Sequence, residues 1–148
     1  MAIHTSSPVD AAKKMYDLFN SGDISEVENV FSPDFVDHDP FPGISTGLQA
    51  MRDLVEMVAG AFSNRDHEIL FSADLGGGVA VTNWRFTAVH TGEWLGMPPT
   101  GEAISYCGID ISTIRDGRVA ELRHVEQIHH ANVQISQALS AQKSSRSS

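Results

Sequence analysis

The hydrophobic period of this chain changes close to Asn64. Before that point apolar residues recur every three or four positions. After it they alternate with polar ones. A helix buries one face with the first spacing and a strand with the second, and neither spacing serves the other element. The chain therefore reads as helices first and a sheet afterwards. That is the α+β class, with helices packed on one face of a curved sheet.

The helical part divides at its capping signals. "SPVDAAKKMYDLFNSGD" has Ser7 as N-cap, Pro8 at the first helical position, and Gly22 as a stop. Val9, Ala12, Tyr16 and Phe19 share its face. "DISEVENVF" predicts a short second helix capped by Asp23, burying Ile24, Val27, Val30 and Phe31. "SPDFVDHDPFPGISTG" is too rich in Pro, Gly and Asp to continue as helix, and predicts at most a very short strand at Phe35 and Val36. "GLQAMRDLVEMVAGAFSN" is the third helix, with Leu48, Met51, Leu54, Val55, Val58 and Phe62 on one side.

Four strands follow, "DHEILFSADL", "VAVTNWRFTAVHTGEW", "AISYCGIDISTI" and "VAELRHVEQIHH". Gly76 to Gly78, the "LGMPPTGE" loop and the "RDGR" turn connect them as an antiparallel meander. "ANVQISQALSAQ" predicts a final short helix. The expected organisation is a disordered stretch over 1–7, one domain over 8–130, and a short helix with a flexible tail over 131–148.

A length of 148 residues with 41% hydrophobic content suits one domain with a real core. A net charge of -9 is the wrong footprint for nucleic acid or an anionic membrane. The basic cluster from Lys143 to Arg146 lies in the Ser-rich tail. A single cysteine, Cys107, excludes an internal disulfide framework. No apolar run reaches transmembrane length, and no leader-like segment opens the chain. The expectation is a soluble, cytoplasmic protein. Its histidines are scattered and no loop has calcium-type spacing, so no metal is expected.

Polar residues inside the last two strands raise the functional question. Asp110 stands between Ile109 and Ile111, and its partner strand carries His124 and Glu126. Burying such groups unpaired costs several kcal/mol each. Turn geometry decides whether they share a face. A two-residue turn at Asp116-Gly117 sets Asp110 against Arg123 and turns His124 away. A three-residue turn sets Asp110 against Leu122, with His124 as its diagonal neighbour. Tyr106, Asp110, Ser112, His124 and Glu126 then line one side. Hydrophobic alternation leaves both registers open.

Three stretches, "FNSGDISEVENVFSPDFVDHDP", "HTGEWLGMPPTGEAISYCGIDI" and "IRDGRVAELRHVE", together resemble the SnoaL-like polyketide cyclases of the nuclear-transport-factor-like superfamily. The resemblance spans residues 8–130. It implies a cone-shaped α+β barrel with a strongly bent, mixed and mostly antiparallel sheet, N-terminal helices on its concave side, and a deep apolar pocket. It also implies proton abstraction by an Asp on the last strand, assisted by a His on the preceding one, without metal or organic cofactor. Counted from Pro98-Pro99 and Asp116-Gly117, the Asp position falls on His124 and the His position on Asp110. The two residue types are exchanged. The shared pocket favours the three-residue turn.

The resulting expectation is a cofactor-independent acid/base enzyme closing a ring by aldol chemistry on a hydrophobic, carbonyl-rich small molecule. His124 would be the base and Asp110 its orienting partner, and the alternative is a buried pair without catalytic role. Other readings are a ketosteroid-isomerase-like enzyme, a cofactor-free oxygenase, or a non-catalytic ligand-binding or dimerisation module. Likeness to the ketosteroid isomerases implies Tyr16 as a carbonyl-polarising residue and a base near His38, with Asp39 beside it. His90, in the family's His-x-Gly element, would line the pocket mouth or shape the loop. Trp84, Phe86, Trp94, Met97 and Tyr106 would form apolar walls, with Glu126 close by. Thr87 follows Arg85 where the limonene-type epoxide hydrolases need Asp, which counts against that activity. His129 and His130, adjacent on a strand, would point to opposite faces. A homodimer is expected through an outer apolar patch of Cys107, Ile109, Ile111, Val119 and Val125.

Overall fold

The computed structural model describes residues 7–147. Helix α1 spans Pro8–Ser21. The Ser7 hydroxyl caps it by accepting from the Asp10 backbone N–H at 3.2 Å, and Gly22 ends it with φ 71°. Residues 1–6 of the expected disordered stretch lie outside the described residues. The second helix is split into a 3-10 turn, Ile24–Glu26, and a single α-turn, α2, Val27–Val30. Strand β1 covers Phe31–Asp37 and is much longer than the two residues expected. Helix α3 is Leu48–Ala61 and runs directly into β2, Phe62–Gly76. Strands β3, Val79–His90, β4, Ala103–Arg115, and β5, Arg118–Glu126, complete the sheet.

Helix α4, Ile128–Arg146, is longer than predicted and absorbs most of the supposed tail. His129 and His130 are exposed in its first turn and do not extend β5. The helix is anchored by buried Ala131 and Ile135.

The sheet order is β1-β5-β4-β3-β2. All neighbours are antiparallel except β1 and β5, which run parallel and make the sheet mixed. The sheet does not close into a barrel: β1 and β2 are its edges, and the helices complete the cone. Alternation sorts the two faces. On β3, Ala80, Thr82, Trp84, Phe86, Ala88 and His90 are all buried on the concave side. The same side of β4 carries Ile104, Tyr106, Gly108, Asp110 and Ser112.

The last hairpin corrects the turn expected from the sequence. Asp116 (φ 52°) and Gly117 (φ 74°) form a two-residue turn closed by Arg115 opposite Arg118. Both central residues at positive φ are the mark of a type I′ turn. The register then shifts between Thr113 and Ile114: Ile114 pairs with Val119, but Thr113 pairs with Glu121. One extra residue on β5 forms a bulge, and Val119 and Ala120 are both buried there. The bulge moves every later pair by one. Asp110 therefore faces His124 directly, not Arg123 or Leu122, and Leu122 pairs with Ser112. The same-face expectation holds through a different turn. Val119, expected on the outer patch, belongs to the core.

One glycine permits the site. Trp84 pairs with Gly108, and its indole lies over that residue. A Cβ at Gly108 would fall well inside contact distance of the indole carbons. We expect Gly108→Ala to overpack this contact and lower stability by ~2 kcal/mol, read as a fall in the urea midpoint; an unchanged midpoint would contradict this account of the packing.

Candidate active site

The concave face and the helices enclose a cavity of about 60 Å³. Three cross-strand rows make its floor. His67, Phe86 and Tyr106 form one row; Ile69, Trp84, Gly108 and Glu126 the next; Thr82, Asp110 and His124 the third. Met15, Tyr16 and Phe19 from α1 and Met51, Leu54 and Val58 from α3 line the opposite side. Phe41, from the β1–α3 loop, and Trp94 also line the cavity.

Asp110 is 5% exposed. Its Oδ2 accepts the Tyr16 hydroxyl at 2.6 Å and the Trp84 Nε1–H at 2.9 Å. Both donors use the same oxygen, leaving Oδ1 without a side-chain donor among the described residues. Burial raises the Asp110 pKa, helped by the negative charge of Glu126. The Tyr16 bond, the charge on His124 and the Trp84 bond oppose this, and the result is about 6.

His124 lies between two carboxylates. Its Nε2 is 3.0 and 3.1 Å from the Asp37 oxygens, and its Nδ1 is 3.2 Å from Glu126 Oε1. Carboxylates only accept, so both ring nitrogens carry hydrogen and the ring is an imidazolium. Burial works against that charge. The hydrogen bonds and attraction of Asp37 and Glu126 outweigh it and raise the pKa to about 10. The ring has no lone pair to offer the cavity. It makes no direct hydrogen bond to Asp110, contrary to the simplest form of the expected pair, and the two groups interact through charge.

Asp37, in the "VDHDP" segment, is a cavity residue that the sequence alone does not place in the site. It is 5% exposed and reaches His124 because β1 runs parallel to β5, with Asp37 opposite Leu122. Its Oδ1 also accepts the Asp39 backbone N–H at 2.9 Å. Asp39 accepts the His124 backbone N–H at 3.0 Å and braces the clamp without lining the cavity. His38 is no pocket residue. Its Nε2 meets Glu121 at 3.0 Å on the exposed side, because neighbouring strand residues point to opposite faces.

Tyr16, Trp84, Phe86, Trp94, Tyr106 and Glu126 all line the cavity, as the sequence predicts. His90 and Met97 do not. His90 is fully buried, with Nδ1 3.0 Å from the Thr100 hydroxyl, and pins the loop 91–102. Met97 pairs with Trp94 across a tight turn. His67 lines the cavity and was also missed; alternation along β2 was the available signal. Among the described residues, no three His, Cys, Asp or Glu side chains are placed to hold a metal ion. No helix among them is long and apolar enough to cross a membrane.

The family model of the SnoaL-like polyketide cyclases matches residues 9–135. This chain belongs to that family. Solved structures similar to it include AclR of Streptomyces galilaeus, 24% identical over 88% of this chain and 81% of that one, with a TM-score of 0.76. IdmH of Streptomyces antibioticus, a candidate polyketide cyclase, is 23% identical over 88% of this chain and 99% of its own, TM-score 0.75. TsrD of Streptomyces laurentii is 21% identical over 85% and 95%, TM-score 0.73. No curated protein matches the chain. In this SnoaL-like sheet the carboxylate stands on β4 and the histidine on β5.

The His124 clamp has a pH signature. Its pKa lies above the ordinary 6.5, so its stabilisation is complete below about 6.5 and is lost as pH rises through about 10. We expect His124→Gln to lower stability by ~3 kcal/mol at neutral pH, since Asp37 and Glu126 lose their shared cation. It should also flatten the decline of the urea midpoint between those two pH values. A wild-type slope retained in the variant would assign the titration elsewhere.

Proposed function

We propose that this protein is an acid/base enzyme of the polyketide cyclase type, and that Asp110 is its base. The observation that carries this reading is the state of Asp110. It is a carboxylate in an apolar cavity, one oxygen held by two donors and the other left open, with a pKa near neutrality. A base poised there is mostly ionised at pH 7 yet gains from taking a proton. His124 is then the fixed cation beside it. This reverses the roles expected from the sequence, where His124 was the base.

The step balances without a co-reactant. Asp110 Oδ1 takes a proton from a carbon flanked by carbonyls, and the electron pair moves into an enolate. Tyr106 donates to the enolate oxygen: its hydroxyl has no partner among the described residues, and burial together with Glu126 and Asp110 keeps it protonated. The enolate carbon attacks a second carbonyl carbon within the same molecule. The new alkoxide takes the proton back from Asp110, so the product is an isomer of the substrate. Among the described residues no Lys or Arg lines the cavity, while Asp37, Glu126 and Asp110 do. That balance favours a neutral substrate over a carboxylate.

Asp110→Asn should lower turnover of a cyclisable polyketone by about two to four decades. Wild-type activity should climb as pH passes about 6. Tyr16→Phe removes a bond that lowers the Asp110 pKa, so its activity limb should move to higher pH. A pH limb unmoved in Tyr16→Phe, with full turnover in Asp110→Asn, would remove Asp110 from the base role.

We also propose a homodimer through the convex face. The sheet register sets exposed Phe71, Ile109 and Val125 in one row with Asn83, and Ile111 beside Val81 in the next. Val125 is 79% exposed. Such an exposed apolar patch can meet its own copy about a two-fold axis. Ile109→Lys combined with Val125→Lys should shift sedimentation from dimer to monomer without unfolding the chain; a native protein that sediments as a monomer at micromolar concentration would end this part of the proposal.

A further inference from the structure

His67 is a half-buried histidine that the reaction above does not use. It stands on the concave face of β2, opposite Phe86. Its ring is surrounded by aromatic groups: Phe86 at 4.7 Å, Trp84 at 5.2 Å, Tyr16 at 5.5 Å and Phe19 at 6.2 Å between centroids. None of these can stabilise an imidazolium as a carboxylate would. Burial holds the ring neutral and lowers its pKa to about 4. The contrast with His124 is one of partners, since that ring has two carboxylates and His67 has none.

A neutral imidazole has one donor nitrogen and one acceptor. Nδ1 of His67 lies 2.8 Å from Oδ1 of Asn20, in the last turn of α1. An amide oxygen only accepts, so Nδ1 carries the hydrogen. Nε2, at the opposite edge, then holds the lone pair. It has no hydrogen-bond partner among the described residues, and His67 lines the cavity. Tyr106 lies in the same cross-strand row, with its hydroxyl free to donate. The apolar cavity thus presents an acceptor and a donor at opposite edges of the Phe86 ring.

We propose that His67 is a specificity-determining residue that accepts a hydrogen bond at Nε2 from a hydroxyl, phenolic or enolic, on a planar hydrophobic substrate. This rests on reading the cavity as the substrate site. It goes beyond that reading by naming a group the substrate must carry away from the reacting carbon. A site built to pair a hydroxyl discriminates against the analogue lacking it, because the acceptor is then left dry and unsatisfied.

The test uses two probes of matched shape, 2-naphthol and 2-methylnaphthalene, with binding to the full chain followed by tryptophan fluorescence. The native protein should prefer the naphthol by roughly tenfold. His67→Phe, which keeps a planar ring and removes the acceptor, should bring the ratio to about one. His67→Gln, which keeps an acceptor oxygen, should retain part of the preference. Asp110→Asn should leave the ratio unchanged even where turnover is lost, which separates this claim from the identity of the base. A ratio preserved in His67→Phe, or one lost in Asp110→Asn alone, would overturn the proposal. So would a nitrogen NMR spectrum of the free protein with the proton of His67 on Nε2.

Discussion

The β5 bulge at Val119 and Ala120 is the constraint on which the site depends. Side chains along a strand alternate, so a one-residue change of register sends a whole set to the other face. The two-residue turn at Asp116-Gly117, continued without a bulge, would set Asp110 against Arg123 and turn His124 and Glu126 to solvent. The extra residue restores the pairing of Asp110 with His124 and Gly108 with Glu126. Val119, on the turn side of the bulge, is set into the core by the two-residue turn itself, opposite Ile114. A single irregularity therefore chooses which face of β5 carries chemistry.

With that register set, electrostatics divides the labour. Asp110 and His124 are both perturbed by burial, but their partners differ in kind. Asp110 meets two neutral donors, Tyr16 and Trp84, which orient it and limit the rise in its pKa. His124 meets two carboxylates, which hold it charged. Partners of opposite character thus separate a group that can exchange a proton near neutral pH from one that cannot.

The clamp also serves the fold. Asp37 lies at the end of β1, the one strand that joins the sheet in parallel, and no hairpin sets its place. The pair with His124 ties this strand to β5 at the cavity. The Asp39 carboxylate on the His124 backbone N–H strengthens the same junction. Site and sheet edge are therefore one structure, and changes in the clamp act on stability and on the charge beside Asp110 together.

Local physics made much of this legible from the sequence alone. Ser7, Pro8 and Gly22 bound α1 because caps act over one turn of chain. The change of period near Asn64 separated helices from strands because burial of one face demands it. Asp110 and Glu126 stood out as polar groups inside strands, while Tyr16 and the aromatic walls came from the resemblance to the family's pocket. The tertiary structure alone decided the rest. The bulge is one residue long and leaves no periodic trace, so the turn type read from Asp-Gly could not give the register. Asp37 sits 87 positions from His124, and a parallel pairing carries no turn signal to reveal the contact. The likeness to the isomerases points near His38, and nothing local says which of the two neighbours, Asp37 or His38, turns inward. The charge of His124 and the neutrality of His67 were equally out of reach, since the same imidazole becomes an acid or an acceptor according to groups that only folding brings beside it.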